Sequence, residues 1–409
     1  MHYLSLCCIA QDETPYLRAW VEYHRLAGVE HFYIYDNESK VPISDTLKGY
    51  IDHGIVDVIP VKGKNQQLPA YDHCLNEFGK KQSRWIGFID MDEFLLPLKT
   101  DDLRVLISDY EEYGGLAVNW SIFGSNSHEE SPGAPQIKHY TMRTRSDYAV
   151  NHHIKSIIKP TKVVQAKNPH CFMYVPGNIC VNEKYESVHY AYSPFSNEKI
   201  LVNHYFNRSS EDYEEKINRG RADRDDYVYS MWRFDKVNRF STAKDKRSWK
   251  YLELLEELLD SEDVKPQISL KSLVKLKNED DYFDRFNVFL ENGNVKGIIE
   301  VSSAAVQQFP SDPGVWLTRG IALSQQSTFT EAEHALRRSL RLAESFQAFY
   351  ELSTVLIATD RLIEAKRILT HLQARISMGF MDKQFLKLTD KAIDALNKHM
   401  ANRKSTLPL

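Results

Sequence analysis

The sequence predicts an α/β fold with a mainly parallel, Rossmann-like sheet, followed by an all-α helical-repeat domain. Three observations predict it. Apolar runs of strand length alternate with amphipathic segments through the first ~125 residues. From Trp249 the pattern becomes helical throughout. Near the C-terminus, two helical pairs recur at a spacing of about 33–34 residues.

The elements follow in order. Tyr3–Ala10 is a buried strand. A helix follows, with Thr14 as its cap, Pro15 in its first turn and Gly28 at its end. Its apolar stripe is Leu17, Trp20, Val21 and His24. His31–Tyr35 is the second strand, and a helix starting at Ser44 or Asp45 closes at Gly54. Ile55–Val61 is a strand, Pro69–Phe78 a helix and Trp85–Ile89 a strand running straight into Asp90-Met91-Asp92-Glu93. Asp101–Tyr113 is helical and Leu116–Phe123 extended. Short strands and loops, among them Ser156–Ile158 and Lys199–Phe206, finish a cleft. In a sheet of this kind ligands bind beyond the carboxyl ends of the strands, which puts Ala10–Glu13, Asp36-Asn37 and Asp90–Glu93 on one rim.

Helices are expected over Trp249–Leu259, Tyr282–Glu291 and Val295–Phe309, with a break at Phe309–Pro313. Trp316–Leu323 and Phe329–Leu340 then resemble the two helices of a tetratricopeptide unit, and Leu362–Leu369 repeats the second. Ala332 aligns with Ala365 and Leu336 with Leu369, while the second copy lacks the glycine. The divisions expected are 1–240 for the α/β domain, 241–300 for a helical linker region and 301–409 for the repeat domain, a packing or partner-binding module.

Bulk composition narrows the function. The 409 residues suit two domains, and 42% hydrophobic with 26% charged residues are globular proportions. Lys plus Arg is 52 and Asp plus Glu 56, a net charge of −4, so nucleic acid is not an expected partner. No apolar run approaches the ~20 residues of a membrane span, and the N-terminus lacks the pattern of a signal peptide. The five cysteines contain no CxxC pair and read as reduced core thiols, so a cytoplasmic location is expected, with contact at the inner membrane face left open.

Asp90-Met91-Asp92 is the central motif. Three carboxylates between two apolar runs repel unless cations or strong donors offset them. Mg²⁺ or Mn²⁺, held by one or two carboxylates and a substrate diphosphate, is the solution that suits oxygen ligands. The alternative is a strand-end acidic cluster that caps the next helix. A second such pattern, Asp223-Arg224-Asp225, sits in the charged run Arg219–Asp226 and reads as a solvated helix face. A nucleotidyltransferase usually has a glycine-rich phosphate loop after the first strand, and Ala10–Thr14 contains no glycine.

The run from Ala10 to His24, then Gly28-Val29 and Tyr33–Ser39, resembles the opening of family 2-like glycosyltransferases of the family 92 type, also known as domain of unknown function 23 proteins. Asp90-Met91-Asp92-Glu93-Phe94 is similar to that family's D-x-D-E-F element, and Val202–Ser209 followed by Lys216 to its later NHY segment. The resemblance covers roughly residues 3–225 and implies a GT-A fold, a nucleotide-sugar donor and Mn²⁺ or Mg²⁺. It implies that Asp90 contacts the ribose or metal, that Asp92 binds the metal, and that Glu13 and Asp36 line the base and ribose pocket. His204 is implied as a further metal or diphosphate contact, with a core histidine as the alternative. Lys155 and His170 are candidates for holding a phosphate. An inverting transfer needs a general base, for which Glu183 is the first choice and Glu186 and Asp147 are alternatives. The expected activity is hexosyl transfer to a glycan or lipid-linked acceptor in surface polysaccharide biosynthesis, with a protein partner for the helical tail. The competing expectation is an inactive transferase-like domain serving as a tetratricopeptide scaffold.

Overall fold

The computed structural model describes residues 1–223, 229–266, 276 and 278–406. The chain divides into two compact units, 1–270 and 271–409.

In the first unit ten strands form one sheet among the described residues: β1 His2–Ala10, β2 His31–Asn37, β3 Val56–Val61, β4 Ser83–Phe88, β5 Glu93–Pro97, β6 Gly115–Ile122, β7 Ile154–Ile158, β8 Cys180–Val181, β9 Ser187–Val188 and β10 Ile200–His204. Their order is β9-β8-β6-β7-β4-β1-β2-β3, and β10 pairs with both β6 and β5. The half β4-β1-β2-β3 is wholly parallel, as helical crossovers require. β7 runs antiparallel to both neighbours, β4 and β6, because the irregular segment after β6 stays at the carboxyl end of that strand and β7 starts there, Ile154 opposite Asn119. Burial on both faces explains the continuous apolar runs of β1, β4 and β6.

Six helices position the rim: α1 Leu17–Leu26, α2 Gln67–His73, α3 Leu103–Ser108, α4 Ser210–Arg219, α5 Met231–Phe240 and α6 Leu252–Asp260. The predicted stripe of α1 is buried, and so is every other residue of the helix except Arg18. Trp20 Nε1 donates to the Glu93 carbonyl at 2.9 Å, and His24 Nε2 accepts from the Leu95 amide at 3.1 Å, so α1 is pinned to β5. Thr14 is not its cap: the helix begins at Leu17 behind Tyr16, which makes no side-chain cap bond. The Tyr16 hydroxyl instead donates to Asp212 at 2.6 Å. Gly28 ends the turn at φ +99°, where a Cβ would lie 2.2 Å from an Asp102 carboxylate oxygen. α4 opens with a capping box between Ser209 and Asp212. Tyr251, Leu255 and Leu258 bury themselves in the core of this unit, so residues up to Asp260 are part of it rather than a linker.

The second unit is helical: α7 Glu279–Glu291, α8 Val295–Gln308, α9 Pro313–Gln325, α10 Phe329–Leu342, α11 Phe346–Ala358, α12 Leu362–Ser377 and α13 Leu386–Thr406. Asp312 caps α9 by accepting from the Val315 amide at 2.9 Å, with Pro313 as the first helical residue. The repeat positions Ala332, Leu336, Ala365 and Leu369 are all fully buried. Gly320 lets α9 and α10 approach, since a Cβ there would sit 2.6 Å from Leu336 Cγ. Among the described residues no helix is long and apolar enough to cross a membrane.

Candidate active site

The loops after β1, β2, β3, β4 and β10 open on one rim and line a cleft of about 1000 Å³. Four of these loops each hold a non-glycine residue in the left-handed region: Asp12, Glu38, Asn65 and Arg208, at φ between 51° and 59°. Such backbone is uncommon outside glycine and persists only where surrounding contacts fix it. The rim is therefore built rather than slack.

The end of β4 supplies the floor. Asp90 Oδ2 accepts from Lys155 Nζ at 2.9 Å, and its Oδ1 accepts from Gln67 Nε2 at 2.8 Å. Asp92 Oδ2 accepts from Lys216 Nζ at 2.6 Å and lies 3.3 Å from His204 Nε2. Both partners meet Asp92 on the same oxygen. Burial works against ionisation of Asp90, yet the Lys155 ammonium holds its carboxyl below the ordinary value. Asp92 is likewise buried, and Lys216 with His204 holds it well below. Glu93 is the opposite case. It is fully buried, and burial with Asp90 and Asp92 nearby pushes its carboxyl well above the usual range despite Lys155. Its Oε2 accepts from the Asp90 amide at 2.9 Å, which fixes the turn of the motif. Burial lowers His204 from its ordinary value.

Glu13 lines the cleft and is clamped by Arg208 at 2.7 Å and Arg219 at 2.8 Å. Several expected residues do other work. Asp36 does not line the cleft: its two oxygens accept from the amides of Ser39 and Ile43, both at 3.0 Å, and so shape the loop after β2. Lys155 is buried at 1% exposure with its ammonium on Asp90 and Glu93, so it supports the motif and does not reach for a phosphate. Glu183, expected as the general base, does not line the cleft. Its carboxylate is consumed by the Ser196 hydroxyl and by the amides of Glu198, Lys199 and Ile200, which start β10. Glu186 and Asp147 do not line the cleft either, and Asp147 pairs with Arg145 in solvent. His170 lines the cleft, held by its Nδ1 to the Ile154 carbonyl at 2.9 Å.

Sequence reasoning missed part of the cationic wall. Arg219, Arg221, Asp223 and Arg233 line the cleft, although Arg219–Asp226 reads as a solvated face. Asp223 pairs with Arg221 at 2.7 Å, and Arg224 and Asp225 lie outside the described residues. Gln67, Trp120, His153 and Tyr192 were also missed.

Among the described residues no three His, Cys, Asp or Glu side chains are clustered to hold a metal ion, so Asp90, Asp92 and His204 are not a ready-made ligand set. Two carboxylates on one turn, both lining the cleft, fit a hard cation that arrives with a diphosphate and takes its remaining oxygens from it.

Comparison with known proteins follows the same lines. The profile of glycosyltransferase family 92 matches residues 2–257. A glycosyltransferase family 92 protein of Arabidopsis thaliana is 26% identical over 242 residues, 54% of this chain and 41% of that protein. One from Oryza sativa subsp. japonica is 27% identical over 164 residues, 39% of this chain and 27% of its own length. The chain thus spans less than half the length of these relatives. The crystal structure of S. aureus TarS 1–349 in complex with UDP-GlcNAc shares 11% identity at a TM-score of 0.32, over 84% of this chain and 93% of that one. With its profile matched over most of the chain, its DxD turn at the end of β4 and its cleft at the carboxyl rim, this chain belongs to glycosyltransferase family 92.

Proposed function

We propose that the first unit transfers a sugar from a nucleotide-diphosphate sugar to a hydroxyl of a glycan or lipid-linked acceptor, with Mn²⁺ or Mg²⁺ as cofactor. The observation that carries this reading is the charge layout of the cleft. Two carboxylates, Asp90 and Asp92, stand at the end of β4, faced by Lys216, Arg219, Arg221 and Arg233 on the same cleft. A diphosphate is the ligand that needs both: cations of the protein for its oxygens and carboxylates for its counterion. Asp90 and Asp92 would hold a divalent cation there, which would supply positive charge against a departing nucleoside diphosphate, and Lys155 and Glu93 keep their turn in place. Lys216 keeps Asp92 ionised and lies 4.4 Å from the centre of the Phe206 ring, a position from which its ammonium re-pairs with an incoming phosphate. Hexosyl transfer with inversion into a surface polysaccharide is the specific form of this reading.

The test is release of nucleoside diphosphate from a panel of UDP- and GDP-sugars by the purified full chain, with Mn²⁺, with Mg²⁺ and with EDTA, alongside calorimetric binding of UDP and GDP. Release from one donor that stops with EDTA is the expected result. A folded protein that neither turns over any donor nor binds either nucleotide with metal sinks the reading and promotes the scaffold alternative. The product anomer, read by NMR, decides inversion.

A further inference from the structure

The cleft has two chemically different sides. On the β1-β2-β3 side its lining is Gln11, Asn37, Glu38, Lys64 and Asn65, together with the cations of α4 and the segment after it. On the β6-β7 side it is aromatic and imidazole. Trp120 of β6 stacks on His153, the residue before β7, with ring centres 4.9 Å apart at 17°. His153 packs in turn against Tyr192 at 4.3 Å, and His170 lies against Trp120 at 5.2 Å. All four line the cleft.

This side is rigid yet open. Tyr192 is 57% exposed. Its backbone is nevertheless bridged to His153, flanked by Ile154 N to Ala191 O at 3.1 Å and Ser193 N to His152 O at 2.9 Å. An exposed ring on a fixed backbone loses little freedom when a ligand covers it.

The imidazoles are set for hydroxyl groups. His153 Nδ1 meets the Val150 carbonyl at 2.9 Å and His170 Nδ1 the Ile154 carbonyl at 2.9 Å. A carbonyl only accepts, so in each neutral ring Nδ1 carries the proton and Nε2 keeps a lone pair. Burial lowers His153 from its ordinary value and takes His170 down to about 3, with Lys155 adding to the latter. Ring faces and uncharged ring-nitrogen acceptors suit a neutral sugar.

We propose that Trp120, His153, His170 and Tyr192 form the acceptor subsite, and that it takes a neutral pyranose residue of a glycan, stacked on Tyr192 with its hydroxyls on the two imidazoles. The assignment rests on the sugar-transfer reading and gives its acceptor a place and a chemical class.

The experiment uses the full chain and four neutral tetrasaccharides, cellotetraose, maltotetraose, mannotetraose and chitotetraose, observed by saturation-transfer NMR, with UDP and GDP binding measured in parallel. At least one tetrasaccharide receives saturation at its ring protons. Tyr192→Ala weakens that binding about tenfold, the loss of one stacked ring, and leaves nucleotide binding unchanged. Tyr192→Phe keeps the ring and keeps the binding. Three results overturn the assignment: a nucleotide-binding protein that takes no tetrasaccharide, sugar binding indifferent to Tyr192→Ala, or nucleotide binding lost with it. Sugar binding that depends on Tyr192 in a protein that binds neither nucleotide with metal leaves a neutral-sugar site standing, but overturns its assignment as an acceptor subsite together with the transfer reading.

Discussion

Asp92 and Glu183 are both buried carboxylates, 9% and 3% exposed, and both bear the same cost of leaving water. They differ in what offsets it. Glu183 takes three main-chain amides and the Ser196 hydroxyl. Asp92 takes the side chains of Lys216 and His204, both members of the cleft wall. Main-chain donors are committed to the fold and cannot be handed to a ligand. A side-chain ammonium can turn from a carboxylate to a phosphate. His24 has both ring nitrogens on main-chain groups, the Trp20 carbonyl and the Leu95 amide, whereas on the rim His153 and His170 place Nδ1 on a carbonyl. The kind of partner, not burial, is what distinguishes these two carboxylates.

The largest effect should come from Asp92→Asn. The amide keeps the volume and loses the charge that Lys216 and a cation need. Donor turnover is expected to fall about 10²–10³-fold, the size seen when one preorganised electrostatic group is removed. The measurement is nucleoside-diphosphate release at saturating metal. A variant within threefold of the parent would place the essential charge elsewhere and break the comparison.

Glu183→Gln should cost stability instead. One oxygen becomes an NH₂ facing amides that need acceptors, a loss of about 2–3 kcal/mol for hydrogen bonds to a charged group. The expected readout is faster hydrogen exchange over Glu198–Ile200, with turnover per folded molecule within twofold of the parent. A turnover loss that matches Asp92→Asn would restore Glu183 as a base.

These two carboxylates also show what sequence could and could not reveal. The parallel half of the sheet was legible because strands buried on both faces are written as unbroken apolar runs. Asp90-Met91-Asp92 was legible because it follows such a run directly. Glu183 was not, because its partners are amides of Glu198, Lys199 and Ile200, and main-chain donors leave no residue-type signal. The run from Arg219 onward has the composition of a solvated helix face, and only the fold brings Arg219 to Glu13 and the Gln11 carbonyl. Lys155 beside a strand looks like surface charge until the antiparallel pairing of β7 with β4 seats it on Asp90. Trp120, His153 and Tyr192 meet through the β6-β7 register and the bridge at His153. In the tail, Ala332 and Ala365 were readable because small residues recur where helices touch. The second repeat places Ser353 at the position of Gly320 and satisfies its hydroxyl on the Tyr350 carbonyl at 2.6 Å.

The smallest effect is a pH dependence in the frame. His24 is fully buried, and burial takes it from an ordinary 6.5 down to about 3, against the pull of the Trp20 carbonyl. Its Nδ1 donates to that carbonyl and its Nε2 accepts the Leu95 amide at 3.1 Å, an arrangement only the neutral ring can make. Because the folded value lies below the unfolded one, the unfolded chain binds the proton first. The stability His24 contributes is thus present above pH 6.5 and is lost as pH falls toward about 3, at no more than about 1.4 kcal/mol per pH unit. Protection of the Leu95 amide, corrected for intrinsic exchange, should decline from pH 6.5 to pH 4.5. His24→Gln can bridge the same two groups without titrating, so its protection should stay flat over that range. Equal slopes in parent and variant would mean that the pH sensitivity of the α1–β5 contact arises elsewhere. A flat variant would show that the frame, like the cleft, owes its polar order to partner identity, here main-chain groups that accept only one protonation state.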